Sequence, residues 1–226
     1  MTVAENLQII QKQISDAAQD CGRDSQGINL VAVSKKQPDS RITEALGAGH
    51  RLFGENRVQE AQGRWGSFDS GRRAEYPDLR LHLIGPLQTN KAADAVALFD
   101  VIETLDREKL ARILAKEMKK QARDLPCFIQ VNTGEEEQKA GIAPRDIEAF
   151  YHFAKDECGL TVKGLMCIPP ADDPPAVHFA LLQKYAKGLG LSDLSMGMSG
   201  DFEKAIPLGA TYVRVGTGVF GAREAL

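Results

Sequence analysis

Residues Leu30–Pro38 read LVAVSKKQP: four apolar positions, two of them valines, that stop at Ser34, two lysines and a proline-led segment. This is the pattern of a short buried strand ending abruptly in two amines. Two readings of those amines are open. Lysine is almost never buried unless paired, so Lys35 and Lys36 can both be solvated loop charges. Alternatively, one of them faces a pocket and acts through its nitrogen, as Schiff-base lysines do. The choice depends on what surrounds the stretch.

Upstream, Val3, Leu7, Ile10, Ile14, Ala17, Ala18 and Cys21 recur at three- and four-residue spacing, one face of an amphipathic helix that Gly22 closes. Downstream, Ile42, Ala45 and Leu46 predict a helix ending at Gly47 and Gly49. HRLFGEN (residues 50–56) predicts a second strand, and a helix follows through Val58 and Ala61 toward Trp65. Residues 66–78, GSFDSGRRAEYPD, lack periodicity and read as a surface loop. The strand–helix couplet then returns. Strands are predicted at Leu79–Gly85, Val101–Leu105, Cys127–Asn132, Val162–Ile168, Leu194–Ser199 and Thr211–Thr217. Between them lie helices over LQTNKAADAVALF, from an Asp106 N-cap through Gln121, over Arg145–Asp156 behind Pro144, over Pro175–Lys187, and a short one from Ser199 through Ala205.

Eight short strands alternating with helices, with no break in composition, predict a single α/β domain over residues 1–226, a (β/α)8 TIM barrel. An open doubly wound sheet normally carries GxGxxG after its first strand, and none stands there. Only residues 218–226 follow the eighth strand, too few for a full covering helix. The N-terminal helix is therefore expected to cover the seam between the last and first strands.

Composition narrows the function. Hydrophobic content of 43% and charged content of 26% are ordinary for a globular protein, and a formal net charge of −3 argues against nucleic acid as a partner. The richest cationic run, Lys116–Arg123, contains Glu117 and reads as a solvated helix face. No window approaches the ~18 apolar residues of a membrane span, and the acidic, amphipathic N-terminus is not a signal peptide. Cys21, Cys127, Cys158 and Cys167 have neither CxxC nor metal-ligand spacing, which points to free thiols in a reducing, cytoplasmic setting and to no metal. Cys127 and Cys167 sit in apolar strands and read as buried, inert thiols.

In barrels of this kind phosphate commonly binds at the loops after strands seven and eight. Those loops read SMGMSGD and VRVGTGVFG. Ser199 offers a hydroxyl, Gly200, Gly216, Thr217 and Gly218 let backbone N–H groups approach an anion, and a helix beginning at Ser199 would add partial positive charge. Closure makes strand one the neighbour of strand eight, so the lysines lie beside these loops. An amine next to a phosphate cup suggests pyridoxal 5′-phosphate held as a Schiff base, or a Schiff-base enzyme acting on a phosphosugar. Arg214 lies two residues before Gly216 and shares its face. It either faces a pyridine nitrogen, whose protonation a permanent cation would disfavour, or pairs with a barrel carboxylate such as Glu103. Both readings stay open.

VSKKQP, FGENRVQEA, HLIGPLQTNK, VNTGEEEQKAG, GLMCIPP, LSMGMSGDFEKAI and GATYVRVGTGVFG together resemble the successive blocks of the pyridoxal phosphate homeostasis protein family, single-domain relatives of the alanine racemase barrel. The blocks span Val31 to Gly221; Gly200 and Pro86 are local departures from their pattern. The resemblance implies a pyridoxal phosphate Schiff base on Lys35 rather than Lys36. It implies that Ser199, Gly216 and Thr217 hold the phosphate, and that Asn56, His82 and Met166 line the cup. It also implies a cytoplasmic role in balancing pyridoxal phosphate and amino-acid pools, with pyridoxal phosphate-dependent apoenzymes as partners and no established reaction. Alanine racemases take a second base, a tyrosine, from another domain. This chain ends at Leu226, and Tyr76, Tyr151, Tyr185 and Tyr212 fall in no matching motif. No catalytic residue is assigned, and a monomer is expected; an amino-acid racemase using Lys35 and a second base is the alternative.

Overall fold

Short apolar runs form eight parallel strands: β1 (Asn29–Val33), β2 (Leu52–Glu55), β3 (Arg80–Leu83), β4 (Val101–Leu105), β5 (Cys127–Val131), β6 (Val162–Cys167), β7 (Asp193–Met198) and β8 (Tyr212–Val215). Each pairs with the next, and β1 returns to β8 through Leu30–Val213 and Val31–Arg214, closing the barrel. The computed structural model describes residues 1–222; residues 223–226, the last four of the domain expected over 1–226, lie outside the described ones.

Around the barrel run α1 (Val3–Asp20), α2 (Asp39–Gly47), α3 (Val58–Trp65), α4 (Arg72–Glu75), α5 (Ala92–Leu98), α6 (Glu108–Gln121), α7 (Ile147–His152), α8 (Pro175–Gly188), α9 (Phe202–Ala205) and α10 (Thr217–Phe220). The main core lies between strands and helices, where Phe53, Trp65, Leu81, Leu110 and Phe179 are fully buried. A smaller cluster of Val101, Phe128 and Met166, packed against Tyr212, forms the other apolar core.

Helix α1 covers the seam between β8 and β1. A capping box starts it: Glu5 N–H donates to Thr2 Oγ1 (3.2 Å), and Thr2 N–H donates to Glu5 Oε2 (2.8 Å). It buries Val3, Leu7, Ile10, Ile14 and Ala18. Asn6 Nδ2 donates to Val219 O in α10 (2.9 Å), and Val3 N–H donates to Glu44 Oε1 in α2 (2.7 Å). One helix thus ties the element after β8 to the element after β1.

Four local expectations change. The loop expected over residues 66–78 contains α4, which tertiary contacts hold: Arg73 donates to both oxygens of Asp100 (2.7 and 2.9 Å), and the Phe68 ring lies 4.0 Å from its guanidinium carbon. Asp106 does not cap α6. Arg107 is the N-cap residue, and the Asp106 carboxylate is taken by the Arg107 guanidinium instead. The helix expected over Arg145–Asp156 divides into a 3-10 turn (Pro144–Asp146), α7 and a π turn (Phe153–Glu157). Finally, α9 begins at Phe202 rather than Ser199, because Met198 N–H donates to Asp201 Oδ1 (2.5 Å) and Asp201 N–H returns to Met198 O (3.0 Å), closing a turn in between. The positive helix end expected at Ser199 is therefore absent there.

Candidate functional site

Strand alternation orients the approach to the lysine. Leu30 and Ala32 belong to the core outside the barrel, so Val31 and Val33 face its interior; the strand ends at Val33, and Lys35 follows two residues on, in the turn at its C-terminal end. Ser34, out of phase, sends its hydroxyl to Glu55 on the helix side of the wall (2.7 Å). Gln37 N–H donates to Ser34 O (3.1 Å) and closes a four-residue turn around the two lysines. Lys35 is half-buried; Lys36 is exposed and takes a left-handed conformation with φ 55°.

The loops after β7 and β8 meet beside this turn. Gly216 N–H donates to Ser199 Oγ (3.3 Å), and a Cβ added at Gly216 would stand 3.5 Å from Val33 Cβ. Thr217 follows as the first residue of α10, and both Ser199 and Thr217 are exposed at the rim. Gly218 serves packing instead: an added Cβ would lie 2.8 Å from Val215 and 3.2 Å from Ile10 of α1. Asn56 follows β2. Gly85 permits a close approach, since a Cβ there would fall 2.2 Å from Asn56 O. Asn56 Oδ1 is buried without a hydrogen-bond partner among the described residues. Because β8, β1 and β2 are consecutive in the barrel, Ser199 with Gly216, Lys35, and Asn56 succeed one another around its C-terminal rim.

His82, Met166 and Arg214 lie deeper. His82 is buried on β3, within the barrel wall rather than at a strand mouth. Its Nδ1 meets Glu103 Oε1 (2.6 Å), and its ring lines a cavity of about 460 Å³ at the opposite end with Asn29, Arg80 and Tyr212. Glu103 Oε2 accepts from Ser195 Oγ (2.5 Å), Ser195 Oγ accepts from Arg214 Nη1 (2.6 Å), and Arg214 Nη2 donates to Cys167 O (2.8 Å). Arg214 therefore reaches Glu103 through a serine hydroxyl, not by the direct ion pair that the sequence left open. Burial alone would push the Glu103 carboxyl up; the hydrogen bond and charge of His82, with Arg214 and Ser195, reverse this and hold it below the usual carboxylate range. A carboxylate accepting at Oε1 places the His82 proton on Nδ1. Met166, fully buried, packs with Phe128 and Val101.

Cys127 and Cys167 are free and buried, and burial pushes both thiols up to about 12. Sequence reasoning assigned no role to Ser195, Glu55, Arg64 or Trp65. The available signal was a polar residue inside an otherwise apolar strand, Ser195 in LSMGM and Glu55 in LFGE, which demands a partner once buried.

The alanine racemase N-terminal domain family matches residues 5–224. The pyridoxal phosphate homeostasis protein of Pseudomonas aeruginosa is 42% identical over 230 residues, covering 99% of this chain and 96% of that protein. The pyridoxal phosphate homeostasis protein of Escherichia coli K12 is 36% identical over 230 residues, covering 98% and 97%. Among solved structures, PipY of Synechococcus elongatus with pyridoxal phosphate bound superposes with a TM-score of 0.83 at 35% identity, covering 97% of this chain and 100% of that one. An alanine racemase of Clostridium difficile shares the fold at 13% identity, with a TM-score of 0.71 over 98% of this chain and 58% of the racemase.

Proposed function

The chain belongs to the alanine racemase N-terminal domain family, among the pyridoxal phosphate homeostasis proteins, and from that premise we propose that it binds pyridoxal 5′-phosphate covalently through Lys35 and hands it on without catalytic turnover. The observation that carries this reading is the turn itself. It leaves Lys36 exposed and Lys35 half-buried just after β1, the strand whose last residue, Val33, stands against Gly216, which in turn bonds Ser199.

The residues present fit the group. Ser199 Oγ and the Gly216 and Thr217 backbone form a polar rim for a phosphate, and Asn56 Oδ1 is a buried acceptor awaiting a donor. Bound there, the cofactor supplies an aldehyde that condenses with an amine, releasing water. Lys35 provides that amine, and Arg214, anchored through Ser195 and the Cys167 carbonyl, provides a fixed cation below it. His82 and Met166 serve as the layer on which this cup rests.

Two features support binding without turnover. Tyr212 begins β8, the end of the barrel away from Lys35, where its ring packs on His82 (centroids 5.4 Å apart) and Phe128. Tyr76, Tyr151 and Tyr185 lie on the outer side of the strands, against the main core. No tyrosine among the described residues therefore stands opposite Lys35 as a second base. Free thiols suit a reducing compartment, so the reading extends to a cytoplasmic monomer that delivers cofactor to pyridoxal phosphate-dependent apoenzymes. Among the described residues no helix is long and apolar enough to cross a membrane.

The test is absorption with and without borohydride, followed by peptide mapping. An absorption band of the loaded protein that reduction fixes onto the Lys35 peptide is the expected result; a covalent adduct that survives Lys35→Ala sinks the assignment. α-Deuterium exchange into alanine or serine, present in the loaded protein and lost in Lys35→Ala, would replace the delivery reading with a racemase.

A further inference from the structure

The turn that carries Lys35 is held from behind. We propose that Arg64 and Glu55, on the helix side of the barrel wall, are the positioning device that keeps Lys35 directed into the cup, an inference that rests on the reading of Lys35 as the cofactor lysine. Glu55 is fully buried, and its Oε1 accepts from Ser34 Oγ (2.7 Å), Arg64 Nη1 (2.7 Å) and Trp65 Nε1 (3.0 Å). Arg64 Nη1 also donates to Ser34 O (2.8 Å), and Arg64 Nη2 donates to Gln37 O (3.0 Å). The two carbonyls gripped by one guanidinium are those of the residues flanking Lys35 and Lys36.

This arrangement needs a planar fork. An ammonium in place of the guanidinium carries the charge but cannot span both carbonyls while meeting the carboxylate. The fork is itself braced: Arg64 Nε lies 3.8 Å from Asp39 Oδ1, and Arg72 Nη1 bonds both Asp39 Oδ1 (3.3 Å) and Arg64 O (3.0 Å). The grip has a conformation to maintain. Lys36 sits at φ 55°, a region that non-glycine residues leave unless their surroundings hold them. With the fork released, the turn relaxes toward ordinary backbone angles and Lys35 loses its fixed place after β1. The amine then loses the fixed approach that makes its covalent bond favourable.

Trp65 makes the device observable. It is the chain's single tryptophan, and its indole N–H ends on the clamped carboxylate. Arg64→Lys, Glu55→Gln and Ser34→Ala are compared with wild type by amide exchange at Gln37, by Trp65 emission, and by the rate at which loaded protein releases pyridoxal phosphate to a scavenger. Arg64→Lys, with cooperative unfolding retained, is expected to speed Gln37 exchange and cofactor release about tenfold, the scale of one lost charge-assisted hydrogen bond, and to shift Trp65 emission. Ser34→Ala leaves the fork in place and is expected to change release only about two- to threefold. A folded Arg64→Lys protein with exchange and release both at wild-type rates overturns the proposal. Should Arg64→Lys fail to fold, Glu55→Gln decides it by the same two rates, wild-type values again overturning it. Gln37 exchange needs no cofactor, so it still judges the clamp if wild type fixes nothing on Lys35 and the cofactor reading itself fails.

Discussion

Glu103 and Glu55 are both fully buried, yet they stand on opposite faces of the barrel wall and are satisfied in opposite ways. Glu103 faces inward and uses both oxygens, Oε1 at His82 and Oε2 at Ser195, in a row of single bonds that ends on Arg214. Glu55 faces α3 and gathers three donors on Oε1 while Oε2 has no partner among the described residues. Burying a carboxylate carries a large desolvation cost that only close partners offset. The inner carboxylate shares that compensation along a chain; the outer one draws its positive charge from a single arginine. A chain suits the interior, where each polar atom must be matched across strands. A hub suits the wall, where one side chain can reach several points of a loop.

The contrast is sharpest at the hub's cation. Arg64→Ala leaves Glu55 buried without its cation, with only Ser34 and Trp65 still donating, and is expected to lower stability by ~3–5 kcal/mol, read as a shift of the denaturant midpoint at unchanged slope. The two serines come next, and they test chain against hub directly. Ser195→Ala strips a partner from both Glu103 and Arg214 and should cost ~2–3 kcal/mol. Ser34→Ala should cost only ~1 kcal/mol, because Arg64 and Trp65 remain on Glu55. Equal costs would erase the distinction. The smallest effect concerns acid. The folded-state value of Glu103 is depressed, so its stabilisation is complete above the unfolded glutamate value of about 4.3 and is lost as pH falls through the lower folded value. Glu103→Gln should flatten that part of the stability–pH profile; an unchanged acid limb would show that the inner row does not govern it.

Much of this architecture was legible in advance. Runs such as LVAV and VIETL announce strands by composition and length, and the three- and four-residue spacing of Val3, Leu7, Ile10 and Ile14 announces α1. Three of the four misses share one cause. Asp106 is a good capping residue by type, but Arg107 competes for its carboxylate. GSFDSGRRAEYPD has no helical period, and α4 forms there because Arg73 is anchored on Asp100, 27 residues away. Ser199 was placed on a helix that the Met198–Asp201 turn postpones to Phe202. In these three places local propensity was overridden because a charged side chain found another partner, the next residue for Asp106, three residues back for Asp201 and 27 residues on for Arg73.

The candidate site divides along the same line. Lys35, Asn56, Ser199, Gly216 and Thr217 all follow strand ends, so counting strands was enough to bring them to one rim. His82 and Met166, which the resemblance set around the cup, lie within the strands instead, His82 bonded to Glu103 and packed on the Tyr212 ring.

What the sequence determined by itself is therefore the repeating unit: eight strand–helix couplets, their closure with α1 over the seam, and two amines at the end of the first strand. These follow from side-chain periods of two and 3.6, which are local properties of the chain. Only the tertiary structure decided that Lys35 is half-buried while Lys36 is exposed, that Arg64 grips the turn from behind, and that Arg214 meets Glu103 through Ser195. Those contacts join residues up to 92 positions apart and exist only once register and closure bring their strands together.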